Sequence, residues 1–140
     1  MKIPSQASKT PFDHIVIGWR PDGHEPFQIY GIPHFDFHFY MITSEERKLI
    51  TSYEADSMKF KNAPPVEYLP PGYIYPGGGD AQMGAHWIDP ASPEFNGETF
   101  RKTFIYGTLE GKVNFIEPMI TNDFFVKISL ISPGNYQDRL

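Results

Sequence analysis

The stretch His34-Phe35-Asp36-Phe37-His38-Phe39-Tyr40-Met41-Ile42 alternates more strictly than any other part of the 140-residue chain. Side chains of an extended strand point to opposite faces in turn, so Phe35, Phe37 and Phe39 share one face while His34, Asp36 and His38 share the other. Hydrophobic burial assigns the phenylalanines to the core and leaves the second face polar. On the N-terminal side, Asp13-His14-Ile15-Val16-Ile17-Gly18-Trp19 places Ile15, Ile17 and Trp19 on one strand face, with His14 outward and exposed. Arg20-Pro21-Asp22-Gly23 supplies a turn, and a hairpin partner is expected to begin near Phe27. On the C-terminal side, Thr43 and Glu46 form a capping-box pattern followed by Leu49, Ile50 and Tyr53 at helical spacing, which predicts a helix over 44–57.

Farther out, residues 62–84 contain five prolines and the run Pro76-Gly77-Gly78-Gly79, so they are expected to form a long Pro/Gly loop of functional character. That loop runs into a short strand candidate, Met83–Trp87, and residues 99–108 and 112–120 read as a hairpin turning at Glu110-Gly111. Residues 122–131 are compatible with strand or helix, and residues 1–12 read as a loose arm. With no internal repeat or boundary, residues 1–140 are expected to form a single α+β domain, mainly antiparallel β. The expected shape is a small barrel or sandwich with one helix after the His-rich strand.

Composition limits the function classes. A chain of this length can bury roughly two-thirds of its unfolded surface and needs no covalent staple. The absence of Cys excludes disulfides, thiolate-bound metals and thiol nucleophiles. Twelve Lys and Arg stand against 17 Asp and Glu, with no basic cluster, so no nucleic-acid partner is expected. No apolar run approaches the ~20 residues that span a bilayer, and Met1-Lys2-Ile3-Pro4-Ser5 lacks the apolar region of a signal peptide, so no membrane partner is expected. Twelve Phe, eight Tyr and two Trp agree with a β-rich fold.

The ionisable residues on the alternating strand carry the chemical expectation. Positions i and i+4 of a strand lie about 13 Å apart, whereas an imidazole holds its metal within about 2.1 Å, so His34 and His38 cannot share one ion on an unbroken strand. Either His34 with Asp36 or Asp36 with His38 can converge, and the remaining ligands must come from elsewhere. His86 follows a glycine-rich entry, and Glu117 is a carboxylate embedded in apolar strand sequence that must be compensated if buried. His34, His38, His86 and Glu117 are therefore the candidate metal ligands, with Asp36 and Glu117 as the candidate catalytic carboxylates. The ion would be a divalent metal, zinc first, with iron, manganese or copper as alternatives, and the partner a small-molecule ligand or substrate reached under the 62–84 loop. The competing expectation is a metal-free His/Asp/Glu hydrogen-bond seam in a module whose aromatic faces bind an apolar ligand or build a homo-oligomer.

Two looser patterns accompany these. His34-x-Asp36, His86 and Arg101 follow the ligand order of Fe(II)/2-oxoglutarate oxygenases, and Gly84-x-His86 is similar to a cupin metal motif without the cupin His-x-His pair. His24-Glu25 reads as a solvated turn, the tyrosines as core and rim, and no Gly-x-Ser-x-Gly elbow or phosphate loop is present.

Three longer motifs resemble a family of small bacterial proteins known as a domain of unknown function. They are His34-Phe35-Asp36-Phe37-His38-Phe39-Tyr40-Met41-Ile42, Met83-Gly84-Ala85-His86-Trp87-Ile88-Asp89, and Thr103–Gly107 with Gly111–Thr121. The resemblance spans residues from about 14 to 121. It implies an exported, periplasmic protein in processed form and a homo-oligomer, and it brings no established reaction.

Overall fold

In the computed structural model, which describes residues 1–4, 7 and 9–131, the strands form one five-stranded sheet of order β1-β2-β5-β4-β3. The strands are β1 (His14–Arg20), β2 (His34–Tyr40), β3 (Ala85–Trp87), β4 (Lys102–Leu109) and β5 (Lys112–Thr121), with every neighbouring pair antiparallel. Four α-helices accompany them among the described residues, α1 (Phe27–Tyr30), α2 (Ser44–Lys48), α3 (Ser57–Lys61) and α4 (Asn122–Ile131), with 3-10 turns at Val66–Tyr68 and Pro93–Phe95. The α+β, mainly antiparallel expectation therefore holds. The sheet does not close into a barrel, because β1 and β3 remain its two edges, and the open form fits the sandwich-like alternative. No described helix is long and apolar enough to cross a membrane.

The β4–β5 hairpin turns at Glu110 (φ 50°) and Gly111 (φ 78°), as its sequence signal predicts. The register between β4 and β5 shifts at Gly107/Thr108, and Gly107 sits under the Phe115 ring. A Cβ at Gly107 would come within 1.9 Å of that ring. Gly107→Ala is therefore expected to cost about 1–3 kcal/mol through overpacking, read as a lower urea midpoint with an unchanged slope. An unchanged midpoint would show that the Phe115 ring moves aside freely.

Three local expectations are corrected, and one that the sequence left open between strand and helix is settled. The partner of β1 is β2, pairing Trp19 with Phe35 and Ile17 with Phe37; the segment near Phe27 forms the single turn α1, in which the Ile29 and Tyr30 amides donate to the Pro26 carbonyl. The capping box at Thr43 and Glu46 forms, with both reciprocal bonds, but α2 ends at Lys48 and a separate helix α3 begins at Ser57, so 44–57 is not one helix. Its break lets Ile50 turn inward against Phe60 and Ala85, with its carbonyl accepting the Gln82 amide. Residues 122–131 are helical, and Phe125 packs on Phe35 and Phe37 at 5.8 and 5.9 Å between ring centres. At the start of the chain, Met1 and Lys2 are not loose: the Met1 amino group donates to the Ile15 carbonyl at 2.7 Å and Lys2 bridges to His14.

The largest correction concerns which face of β2 is inside. His34, Asp36, His38 and Tyr40 are buried, while Phe35, Phe37 and Phe39 are only partly covered. The inner face also carries Ile105, Phe115, Glu117 and Met119 from β4 and β5; Ile105 and Met119 pack with Tyr30, Phe100, Ile88 and Phe95, and the Phe115 ring lies against His38, Tyr40 and His86. The outer face collects the phenylalanines with Ile17, 53 % exposed, and Trp19, 46 % exposed. His14 likewise points inward, buried and stacked on Tyr40 at 4.9 Å, contrary to its expected exposure.

Candidate metal centre

The inner face opens into a cavity of about 880 Å³, lined on the sheet side by Arg20, Asp36, His38, His86 and Glu117 and on the other by His24, Tyr30 and residues of the 76–83 segment. Sheet register positions the first group. Asp36 lies opposite Met119 and Phe39 opposite Ile116, which brings His38 level with Glu117 on the neighbouring strand. Glu117 in turn faces Ile105, and His86 pairs with Gly107 on β4. His86 reaches this depth because Gly84, at φ 120°, passes so close to β4 that a Cβ there would meet the Thr108 carbonyl at 2.5 Å. Asn114 secures the approach by donating to the Met83 carbonyl.

His38 Nε2 lies 3.2 Å from Glu117 Oε1, and His86 Nε2 lies 3.8 Å from Glu117 Oε2. The three residues present one ligand atom each within 4.8 Å of one another. His38 Nε2 and Glu117 Oε2 are buried, yet neither has a hydrogen-bond partner among the described residues. Two ligands at ~2.1 Å on a tetrahedral ion stand about 3.4 Å apart, between the two observed separations. Such atoms are costly to bury unless something compensates them, and a cation does so. On its other side, His86 Nδ1 faces the exposed Asp80 carboxylate at 3.8 Å.

Electrostatics prepares the same atoms. Burial, the largest influence, pushes the His38 ring down to about 4 and also lowers His86, so both imidazoles are neutral and offer lone pairs at pH 7. Burial, followed by the Asp36 charge, raises Glu117 well above the usual carboxylate range. Metal binding requires the ionised carboxylate, so any proton that the raised Glu117 carboxyl holds would be displaced by a divalent ion.

The expected ligands do not all meet. His34 belongs to a second cluster with Asp36 and His24, while His38, His86 and Glu117 form the first. His34 Nε2 lies 3.1 Å from Asp36 Oδ1, which is the i, i+2 convergence anticipated for that pair. Burial opposes charge on Asp36, but the approach of His24, His34 and Arg20 outweighs it and holds the carboxyl far below its ordinary range. Arg20 Nε donates to Asp36 Oδ2 at 2.7 Å. The oxygenase-like order is not assembled, since His34 and Asp36 group with His24 instead of His86, and Arg101 lies against Phe124 beside a different pocket.

His24 is expected in solvent, and the structure instead brings its ring, one-third exposed, to the cavity lining. Gly23, at φ 72°, packs so tightly on the Tyr30 carbonyl that the 21–31 connection folds back, and the His24 ring meets His34 at 4.8 Å between centres. Residue spacing carried no signal for this: Arg20 and His34 are cross-strand partners, so the chain between them leaves and returns at the cavity, and that pairing is visible only in the fold. Compared with protein-family models, curated proteins and solved structures, the chain finds no match.

Proposed function

We propose that this protein binds a divalent metal through His38 Nε2, His86 Nε2 and a Glu117 oxygen, zinc being the first candidate and iron, manganese or copper the alternatives. The observation that carries this is the pair of buried, unpartnered atoms, His38 Nε2 and Glu117 Oε2, in a group with His86 whose ligand atoms lie within 4.8 Å of one another. Two imidazoles and one carboxylate suit ions that keep further positions for water or a small-molecule ligand. Bound there, such an ion would supply an activated water or polarise a substrate oxygen, the chemistry of a metal-dependent hydrolase or oxidoreductase. Asp36, held far below the usual carboxylate range, is a weak base at neutral pH and serves better to fix the strand's polar face than to take a proton. The 76–83 segment lines the far side of the cavity and sets which molecules reach it.

Elemental analysis of protein purified without chelators tests the proposal, and close to one equivalent or more of a transition metal is expected. Less than a tenth of an equivalent, with no thermal shift on adding zinc, manganese, iron or copper, would remove it.

The half-covered outer face favours a further reading, homo-oligomerisation, because Ile17, Trp19 and Phe104 leave apolar area in water beside Phe35 and Phe37. Sedimentation should then show a species larger than the 16.0 kDa chain, and Trp19→Asp should reduce it to a monomer. A wild-type protein that stays monomeric at ~100 μM contradicts this.

A further inference from the structure

We infer that the cavity holds a second, separate cation site, formed by His24 Nε2, His34 Nε2 and Asp36 Oδ1. It stands on its own geometry and does not depend on the first centre. The two imidazoles are fixed in the same tautomer by backbone carbonyls. His34 Nδ1–H donates to the Ile32 carbonyl and His24 Nδ1–H to the Glu25 carbonyl, each at 2.7 Å. In the neutral rings both lone pairs are therefore on Nε2, and both face the same carboxylate oxygen, Asp36 Oδ1, at 3.1 and 3.7 Å. With both rings neutral, three acceptors turn toward one another, and a positive centre among them, a proton shared with Asp36 or a bound cation, relieves their repulsion.

His34 and Asp36 are buried to 0 % and 1 % exposure, and His34 Nε2 and Asp36 Oδ1 have no hydrogen-bond partner among the described residues. The other Asp36 oxygen is taken by Arg20, so the carboxylate presents Oδ1 alone. An imidazole anchored through Nδ1–H and a carboxylate anchored through its second oxygen are the supports that orient metal ligands. The separations bracket the ~3.4 Å edge of a tetrahedral site with ~2.1 Å bonds. Asp36 and His38 are neighbours on one strand face, about 6.6 Å apart along it, so the two ions would occupy one cavity without sharing a ligand. The ligand class is a borderline divalent cation, since two imidazoles and a single carboxylate oxygen suit zinc, copper or iron better than calcium or magnesium.

Calorimetric titration of the chelator-treated full chain with zinc tests this. Wild type should bind two equivalents; His24→Ala and His86→Ala should each bind one, and the double variant none. His24 sits on a surface connection, so its replacement spares the core, and circular dichroism checks the fold of each variant. His24→Gln should behave as His24→Ala, because an amide does not replace an imidazole lone pair. Two equivalents retained in His24→Ala overturn the inference, as does a single wild-type equivalent that His24→Ala keeps and His86→Ala loses, which would leave the first centre standing. A single equivalent lost in His24→Ala and kept in His86→Ala supports the inference while removing the first centre. No binding by wild type overturns both.

Discussion

Glu117→Gln is expected to lower affinity at the first centre by at least ~100-fold while leaving the metal-free protein as stable as wild type, or more stable, at pH 8. Four-ligand zinc sites bind with about 10–16 kcal/mol, so one ligand carries roughly 3 kcal/mol, or two powers of ten in affinity. The amide keeps the volume of the carboxylate and loses the charge that the ion requires. The stability half follows from the raised pKa of Glu117, caused first by burial and then by the Asp36 charge. A carboxyl whose folded pKa lies above its unfolded value favours folding fully below the unfolded pKa. That contribution is lost as pH rises through the folded pKa. At pH 8 the wild-type protein carries a buried carboxylate or its proton-uptake cost, and the glutamine variant carries neither. Zinc titration and urea denaturation in chelator measure the two halves. Unchanged affinity would show that Glu117 is no ligand. A metal-free variant weakened by more than ~2 kcal/mol would favour the metal-free seam, in which the carboxylate serves His38 as a direct partner.

The second large effect is the stabilisation by metal itself. An ion that binds only the folded chain adds about 4.1 kcal/mol at a thousand times its dissociation constant, roughly 15 °C in Tm for a chain of this size. The shift depends on pH with a defined sign. Burial lowers His38 from 6.5 to about 4, so its contribution to stability is complete above the unfolded value and is lost as pH falls from 6.5 toward 4. Protons compete with the ion in the same direction, since a metal needs neutral imidazoles and an ionised Glu117, whose raised pKa moves that competition toward neutrality. The zinc-induced shift should therefore be largest near pH 8 and shrink strongly by pH 5. Scanning calorimetry with and without zinc across that range measures it, and a shift independent of pH would point to metal held by surface carboxylates.

Much of the sheet was legible because its signals are local. Glu110-Gly111 between two β-rich runs could only turn, and the alternation of residues 34–40 could only be a strand. Alternation, however, names two faces without saying which is inside. Hydrophobicity alone points the phenylalanines inward, whereas β2 lies inside the sheet and its buried side is chosen by all its neighbours. Glu117, His86 and His24 come from other segments to compensate His34, Asp36 and His38, and Phe125 covers part of the phenylalanine face instead. The 44–57 helix failed for a related reason: the capping box starts a helix correctly, but tertiary packing of Ile50 on Phe60 decides where it stops.

The candidate site was legible in its parts and not in its grouping. Strand geometry already forbade His34 and His38 from sharing an ion, and the structure sorts them into separate clusters. Which cluster would receive His86 depends on the pairing of β3 with β4, and the recruitment of His24 depends on the fold-back at Gly23. Both are long-range facts that residue spacing does not carry.

An anomalous difference map from a zinc-soaked crystal, recorded at the zinc edge, tests the central claim most directly. A strong peak about 2.1 Å from both His38 Nε2 and Glu117, with His86 Nε2 as the third neighbour, is the expected result. A map with no peak in the cavity, and His38 hydrogen-bonded straight to Glu117, would contradict it.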